Sequence, residues 1–101
     1  MLVNSKVEIP YAEIEAFCRE NHIRSLAFFG SILRDDFTPD SDIDVLVEFE
    51  DDFTPGLSFF RIEMELSEII GHKVDLNTAG FLSPYMLDDV IKNSRVIYVA
   101  A

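Results

Sequence analysis

Asp42-Ile43-Asp44 opens a run in which Ile43, Val45, Val47 and Phe49 alternate with other residues. Strand side chains point alternately to opposite faces, so Asp42 and Asp44 share one face. Aspartate is disfavoured in strands, and two neighbouring carboxylates repel unless a cation lies between them. Mg²⁺ prefers such oxygens and needs one or two from the protein, because water and substrate phosphates complete its shell. The alternative is a solvated strand end, where the pair costs little.

Ten residues earlier stands Gly30-Ser31, after the short apolar run 24–29. Glycine lets a backbone approach a ligand closely. Amides at the start of a following helical turn, with the serine hydroxyl, can hold phosphate oxygens. The same dipeptide also suits an ordinary strand-to-helix turn with Ser31 as N-cap. The spacing is informative: ten residues suffice for one short helical turn and a return into the next strand. Two adjacent strands would then set a phosphate cradle beside metal ligands, and a nucleoside triphosphate needs both.

Asp75 interrupts Val74 and Leu76 in another short run. If that strand neighbours 42–49, its carboxylate joins the other two as a metal ligand or as a base for an attacking hydroxyl. The competing reading is an edge-strand charge that discourages aggregation. Arg34 lies one helical turn after Ser31, placed either to pair with a phosphate or with Asp35 or Asp36. Ser41 either binds a phosphate or closes the turn at Thr38-Pro39-Asp40. His22 and His72 have no cysteine companions at zinc spacing.

The elements that must carry these residues alternate. Pro10 opens a predicted helix with Tyr11, Ile14, Phe17 and Cys18 at helical spacing, ending at Asn21 or His22. Strands are predicted over 24–29, 42–49, 73–77 and 95–99. Thr54-Pro55 reads as the start of a helix with Phe59, Ile62, Leu66, Ile69 and Ile70 as its apolar stripe and Gly71 as its cap. Ser83-Pro84 starts another, through about Asn93. The order α-β-α-β-α-β-α-β argues for an α/β sheet covered by helices, with function at strand ends. The nine phenylalanines are expected mostly in the core.

The 101 residues suit a single domain, 1–101. Nineteen acidic against 8 basic residues give a net charge of −11, a field that disfavours stable duplex nucleic acid and steers in a basic protein partner. A nucleotide that arrives with Mg²⁺ escapes the repulsion. One cysteine excludes an intrachain disulfide. The N-terminal segment MLVNSKVEIPYAE lacks a signal-peptide run, and no stretch has the length of a membrane span, so the expected location is the cytoplasm.

Phe29-Gly30-Ser31, ten residues, then Asp42-Ile43-Asp44 resembles the signature of the DNA polymerase β-like nucleotidyltransferases. The fuller string FFGSILRDDFTPDSDIDVLVEFE, with Lys73-Val74-Asp75-Leu76 and the helix after Ser83-Pro84, is similar to the minimal nucleotidyltransferase (MNT) proteins. The motif positions Gly30, Ser31, Arg34, Asp42, Asp44 and Asp75 all match. The resemblance implies a small mixed β-sheet flanked by helices. It implies two Mg²⁺ ions, shared by Asp42 and Asp44 with Asp75 as the third ligand, and a triphosphate, ATP, held by Gly30 and Ser31. Family members transfer a nucleoside monophosphate to a hydroxyl and release pyrophosphate. MNT proteins are commonly encoded beside a HEPN protein, a helical ribonuclease toxin, and in several pairs the MNT antitoxin adenylylates a toxin tyrosine. The rival readings are a non-catalytic antitoxin acting by occlusion and a nucleotide sensor. A double aspartate variant that still neutralised its partner would favour occlusion; ATP binding without pyrophosphate release would favour the sensor. Nothing in the sequence fixes the base, the acceptor residue, or homo- against hetero-oligomer.

Overall fold

The computed structural model describes residues 7–100, and of Phe81 the backbone alone. The first six residues of the segment read above for a signal peptide lie outside the described residues. Helix α1 (Tyr11–Glu20), strand β1 (Ile23–Phe29), a 3-10 turn (Gly30–Leu33), β2 (Ile43–Phe49), α2 (Ser58–Ile70), β3 (Val74–Asn77), a second 3-10 turn (Ala79–Phe81), α3 (Pro84–Asn93) and β4 (Arg95–Val99) follow in that order. The strands form one sheet in the order β3-β2-β1-β4. β1 runs antiparallel to β2 and β4, and β2 runs parallel to β3, so the sheet is mixed.

One face of the sheet carries the core. Ile43, Val45 and Val47 of β2, Leu26 and Phe28 of β1, and Val74 and Leu76 of β3 are buried in one cluster with Ile14, Phe17 and Cys18 of α1 and Ile62, Leu66 and Ile70 of α2. Burying each such branched side chain contributes about 1.5–3 kcal/mol. Phe17, Phe28 and Phe37 are buried, whereas Phe60 is exposed on the outer side of α2. Among the described residues, the other face is met by the 3-10 turn at Ala79–Phe81 and by α3, none of whose residues is fully buried. The aspartates that alternate with the core residues of β2 therefore project onto the less covered face.

The helix ends follow local chemistry. Pro10 sits just before α1 as its N-cap, and its carbonyl accepts from Ile14 N–H at 3.0 Å. Gly71, at φ +75°, ends α2. Ser83 accepts the Met86 N–H at 3.2 Å, and Pro84 opens α3. The expected helix start at Thr54-Pro55 is corrected: Gly56 has φ +55°, outside helical space. Residues 55–58 instead form a turn, in which Ser58 N–H donates to Pro55 O at 3.0 Å, and α2 begins at Ser58.

No helix among the described residues is long and apolar enough to cross a membrane. Cys18 is fully buried, and burial pushes its thiol up to about 12. The reactive thiolate is thus scarce at neutral pH. An aromatic disulfide reagent should leave Cys18 unlabelled in buffer and label it stoichiometrically in denaturant; rapid labelling of the native chain would contradict this packing.

Candidate active site

The site lies along one end of the sheet, where the C-terminal end of β1 meets the N-terminal ends of β2 and β3. Phe29 of β1 faces Asp44 of β2, and Asp44 faces Asp75 of β3 in the ladder. Neighbouring strands stand about 4.8 Å apart, so Asp44 lies between the glycine-serine turn and Asp75. Asp42 precedes β2 by one residue and shares the face of Asp44. The carboxyl of Asp44 is raised above its ordinary pKa, first by burial, then by the charges of Asp75 and Asp42, with Arg34 opposing. Asp44 thus senses both other carboxylates of the predicted set and the guanidinium predicted beside them.

Gly30 has φ +76°, a left-handed conformation that favours glycine. A Cβ there would stand 2.2 Å from Asp44 Oδ2. Glycine is needed twice over: for its backbone and for the room it leaves the carboxylate. The alternative reading of Ser31 as an N-cap does not hold. The turn starts from Phe29 without a side-chain cap, and the Ser31 hydroxyl makes no hydrogen bond among the described residues. The Ser31 carbonyl accepts Arg34 N–H at 2.9 Å, closing the turn.

Arg34 is exposed and its Nε donates to Asp36 Oδ1 at 3.2 Å. Beyond it, Phe37 is buried and its ring lies 5.1 Å from that of His72, which anchors the loop leading into Asp42. Ser41 Oγ accepts Thr38 N–H at 3.0 Å and shares a 3.1 Å hydrogen bond with Thr38 Oγ1, so Ser41 closes this loop. Lys73 Nζ approaches Asp42 Oδ2 to 3.8 Å, an exposed pair worth little.

The all-oxygen donor set and the cradle that a Cβ would fill both suit a hard cation carrying phosphate. No group of three carboxylates, imidazoles or thiols among the described residues already stands at metal-binding geometry. Like charges repel without a cation between them, and Asp75 is exposed.

Two residues overlooked in the sequence hold Asp75 in place. Its neighbours along β3 donate to α2: Val74 N–H to Ser67 Oγ at 3.0 Å and Leu76 N–H to Glu63 Oε2 at 2.8 Å. Ser67 Oγ in turn donates to Glu63 O at 2.9 Å. These bonds cover an edge strand as well as positioning it. The available signal was a polar pair four residues apart bordering the apolar stripe of α2. Glu63→Ala should cost about 1.5–3 kcal/mol in urea denaturation, since an amide loses a charged acceptor, and should speed exchange of the Leu76 amide. Unchanged exchange there would show that Glu63 does not secure β3.

Residues 12–98 match the family described as the nucleotidyltransferase domain. A Methanocaldococcus jannaschii protein, provisionally named a protein adenylyltransferase, is 43% identical over 79 residues, 76% of each chain. A toxin–antitoxin crystal structure with AMP-PNP superposes with a TM-score of 0.73 at 19% identity, covering 91% of this chain and 75% of that one. A tri-AMPylated Shewanella oneidensis HEPN toxin in complex with an MNT antitoxin gives a TM-score of 0.64 at 20% identity, over 89% of this chain and 70% of that one. The mixed sheet flanked by helices is the fold of these neighbours. The chain belongs to the nucleotidyltransferase domain family.

Proposed function

We propose that the chain is a Mg²⁺-dependent protein adenylyltransferase that moves AMP from ATP to a tyrosine hydroxyl of a HEPN toxin and so acts as its antitoxin in the cytoplasm. The observation that carries this is the row Gly30, Asp44, Asp75, with Asp42 beside it, on one open sheet face. The names of the relative and of the structural neighbours support the reading.

Asp42, Asp44 and Asp75 hold the cations, two in the full reaction. When bound, these neutralise the phosphates and lower the pKa of the attacking hydroxyl. The Gly30–Leu33 turn and the Ser31 hydroxyl hold the β- and γ-phosphates, with Arg34 adding a positive charge. The acceptor oxygen forms a bond to the α-phosphorus as the bond to pyrophosphate breaks. Asp75, the exposed member of the row, takes the hydroxyl proton. Ser41 holds the loop that delivers Asp42. The net charge of −11 draws in a basic partner surface, which supplies the acceptor.

The test is to incubate the chain with labelled ATP, Mg²⁺ and the protein encoded by the adjacent gene. Label should pass to that protein, and chelation or the Asp42→Ala, Asp44→Ala double variant should abolish the transfer. Transfer that survived the double variant would remove these carboxylates from the mechanism.

A further inference from the structure

The outer side of α2 carries an apolar stripe that the fold leaves uncovered. Leu57, Phe60 and Met64 are 87%, 64% and 64% exposed. They recur at i, i+3 and i+7, so they form one ridge about 10 Å long on a single helix face. The opposite side of the helix already supplies Ile62, Leu66 and Ile70 to the core, so the ridge is not needed to seat α2. Resting on the proposed function, we infer that this ridge is the seat of the protein that accepts the AMP, and that it takes a helix with an apolar stripe of its own flanked by lysines or arginines.

The charges beside the ridge select the occupant. Glu68 follows Met64 by four residues, so the ridge borders the groove between α1 and α2. In that groove, of about 660 Å³, Glu13 and Glu20 of α1 and Glu65 and Glu68 of α2 stand over Phe17 and Ile69. Arg61 pairs with Glu65 at 3.0 Å, whereas Glu13, Glu20 and Glu68 make no ion pair among the described residues. An apolar ridge beside unpaired carboxylates attracts a cationic amphipathic surface and repels the alternatives. A second copy of the chain would set these glutamates against themselves, and an anionic membrane or a nucleic-acid backbone meets the same repulsion. The spacing of the ridge suits the groove of another helix. Three side chains are too few for an interface that buries about 800 Å² per partner, so the acidic groove belongs to the footprint.

The ridge stands apart from the reacting groups but on the side that leads to them. The aspartates project from the sheet face opposite α2. Phe60 and Met64 neighbour Glu63 and Ser67 on the helix surface, and those two residues hold β3. β3 is the edge strand, and Asp75 is exposed on it. A protein seated on α2 reaches Asp75 across the β3 edge, while the aspartate face stays open to the nucleotide.

The test is titration calorimetry and AMP transfer with the full chain and the purified protein encoded by the adjacent gene. Phe60→Ala combined with Met64→Ala should raise the Kd for that protein about thirtyfold and raise its KM in transfer, with kcat at saturating acceptor within about twofold of the wild type. Glu13→Lys combined with Glu68→Lys should raise the Kd roughly tenfold at low salt, and the difference should shrink at high salt. All four positions are exposed, so the melting temperatures should stay close to that of the wild type, and circular dichroism checks the folds. If AMP passes to the protein but neither pair of substitutions moves Kd or KM, the docking surface is wrong and the catalytic reading stands. If both pairs weaken binding but the wild type transfers no AMP, the docking surface stands and the catalytic reading falls. If the wild type neither binds nor labels the protein, both fall. Self-association of the chain that Phe60→Ala with Met64→Ala abolishes would give the ridge to a second copy and overturn the proposal.

Discussion

Asp44→Asn should lower adenylyl transfer by about a thousandfold or more and at the same time raise the melting temperature of the metal-free chain. The loss follows because a neutral amide holds a cation far less well, and cation-borne charge stabilisation is worth several kcal/mol, at about 1.4 kcal/mol per tenfold in rate. The gain follows from the surroundings of Asp44: burial, Asp75 and Asp42 all oppose its charge. Its folded pKa lies above the unfolded value near 3.8, so the folded state binds the proton more tightly. Ionisation of Asp44 therefore costs stability. That cost is absent below the unfolded pKa, grows as pH rises toward the folded pKa and is constant above it. The variant's advantage, about 4 °C or less for a group this exposed, should be full at neutral pH and should vanish below about pH 4. Mg²⁺ should raise the melting temperature of the wild type and leave the variant nearly unmoved. Thermal scans with and without Mg²⁺ at several pH values check the pattern; a variant less stable than the wild type at neutral pH would contradict it.

The second large effect is at Gly30. Gly71→Ala provides its control, because Gly71 has a similar φ of +75° and a Cβ added there would meet nothing within 4 Å. Gly71→Ala should therefore cost only left-handed strain, about 1–2 kcal/mol. Gly30→Ala carries the same strain and also sets a methyl 2.2 Å from Asp44 Oδ2. That overlap adds about 1–3 kcal/mol, and displacement of the carboxylate costs about a hundredfold in transfer rate. Urea denaturation and single-turnover transfer of the two variants separate strain from clash. Equal losses of stability in both, with transfer intact in Gly30→Ala, would show that Gly30 serves the turn alone.

The sequence showed most clearly what short-range periodicity encodes. Ile43, Val45 and Val47 alternate with Asp44 because one face must be dry, and that alternation also placed the aspartates on the open face. Gly30 was visible as a residue type, but its second reason, the Asp44 oxygen beside it, depends on the pairing of β1 with β2 and on no local pattern. Strand pairing was equally hidden: whether Asp75 stands beside Asp44 is decided by the parallel β2-β3 ladder, a long-range pairing that no motif encodes. Thr54-Pro55 misled because a helix-opening dipeptide says nothing of the left-handed Gly56 that follows it. Glu63 and Ser67 escaped notice because polar residues on a helix look solvated until an edge strand presents its amides to them.

The central claim is that Asp42, Asp44 and Asp75 act as one cation-binding set beside Gly30. It is tested most directly by anomalous diffraction from crystals grown with Mn²⁺ and α,β-methylene-ATP. The expected map has Mn²⁺ peaks bonded to oxygens of all three aspartates, with the triphosphate against the Gly30–Leu33 turn. Peaks that engage none of the three carboxylates, or an Asp75 side chain turned away from an ion held by the other two, would contradict the account.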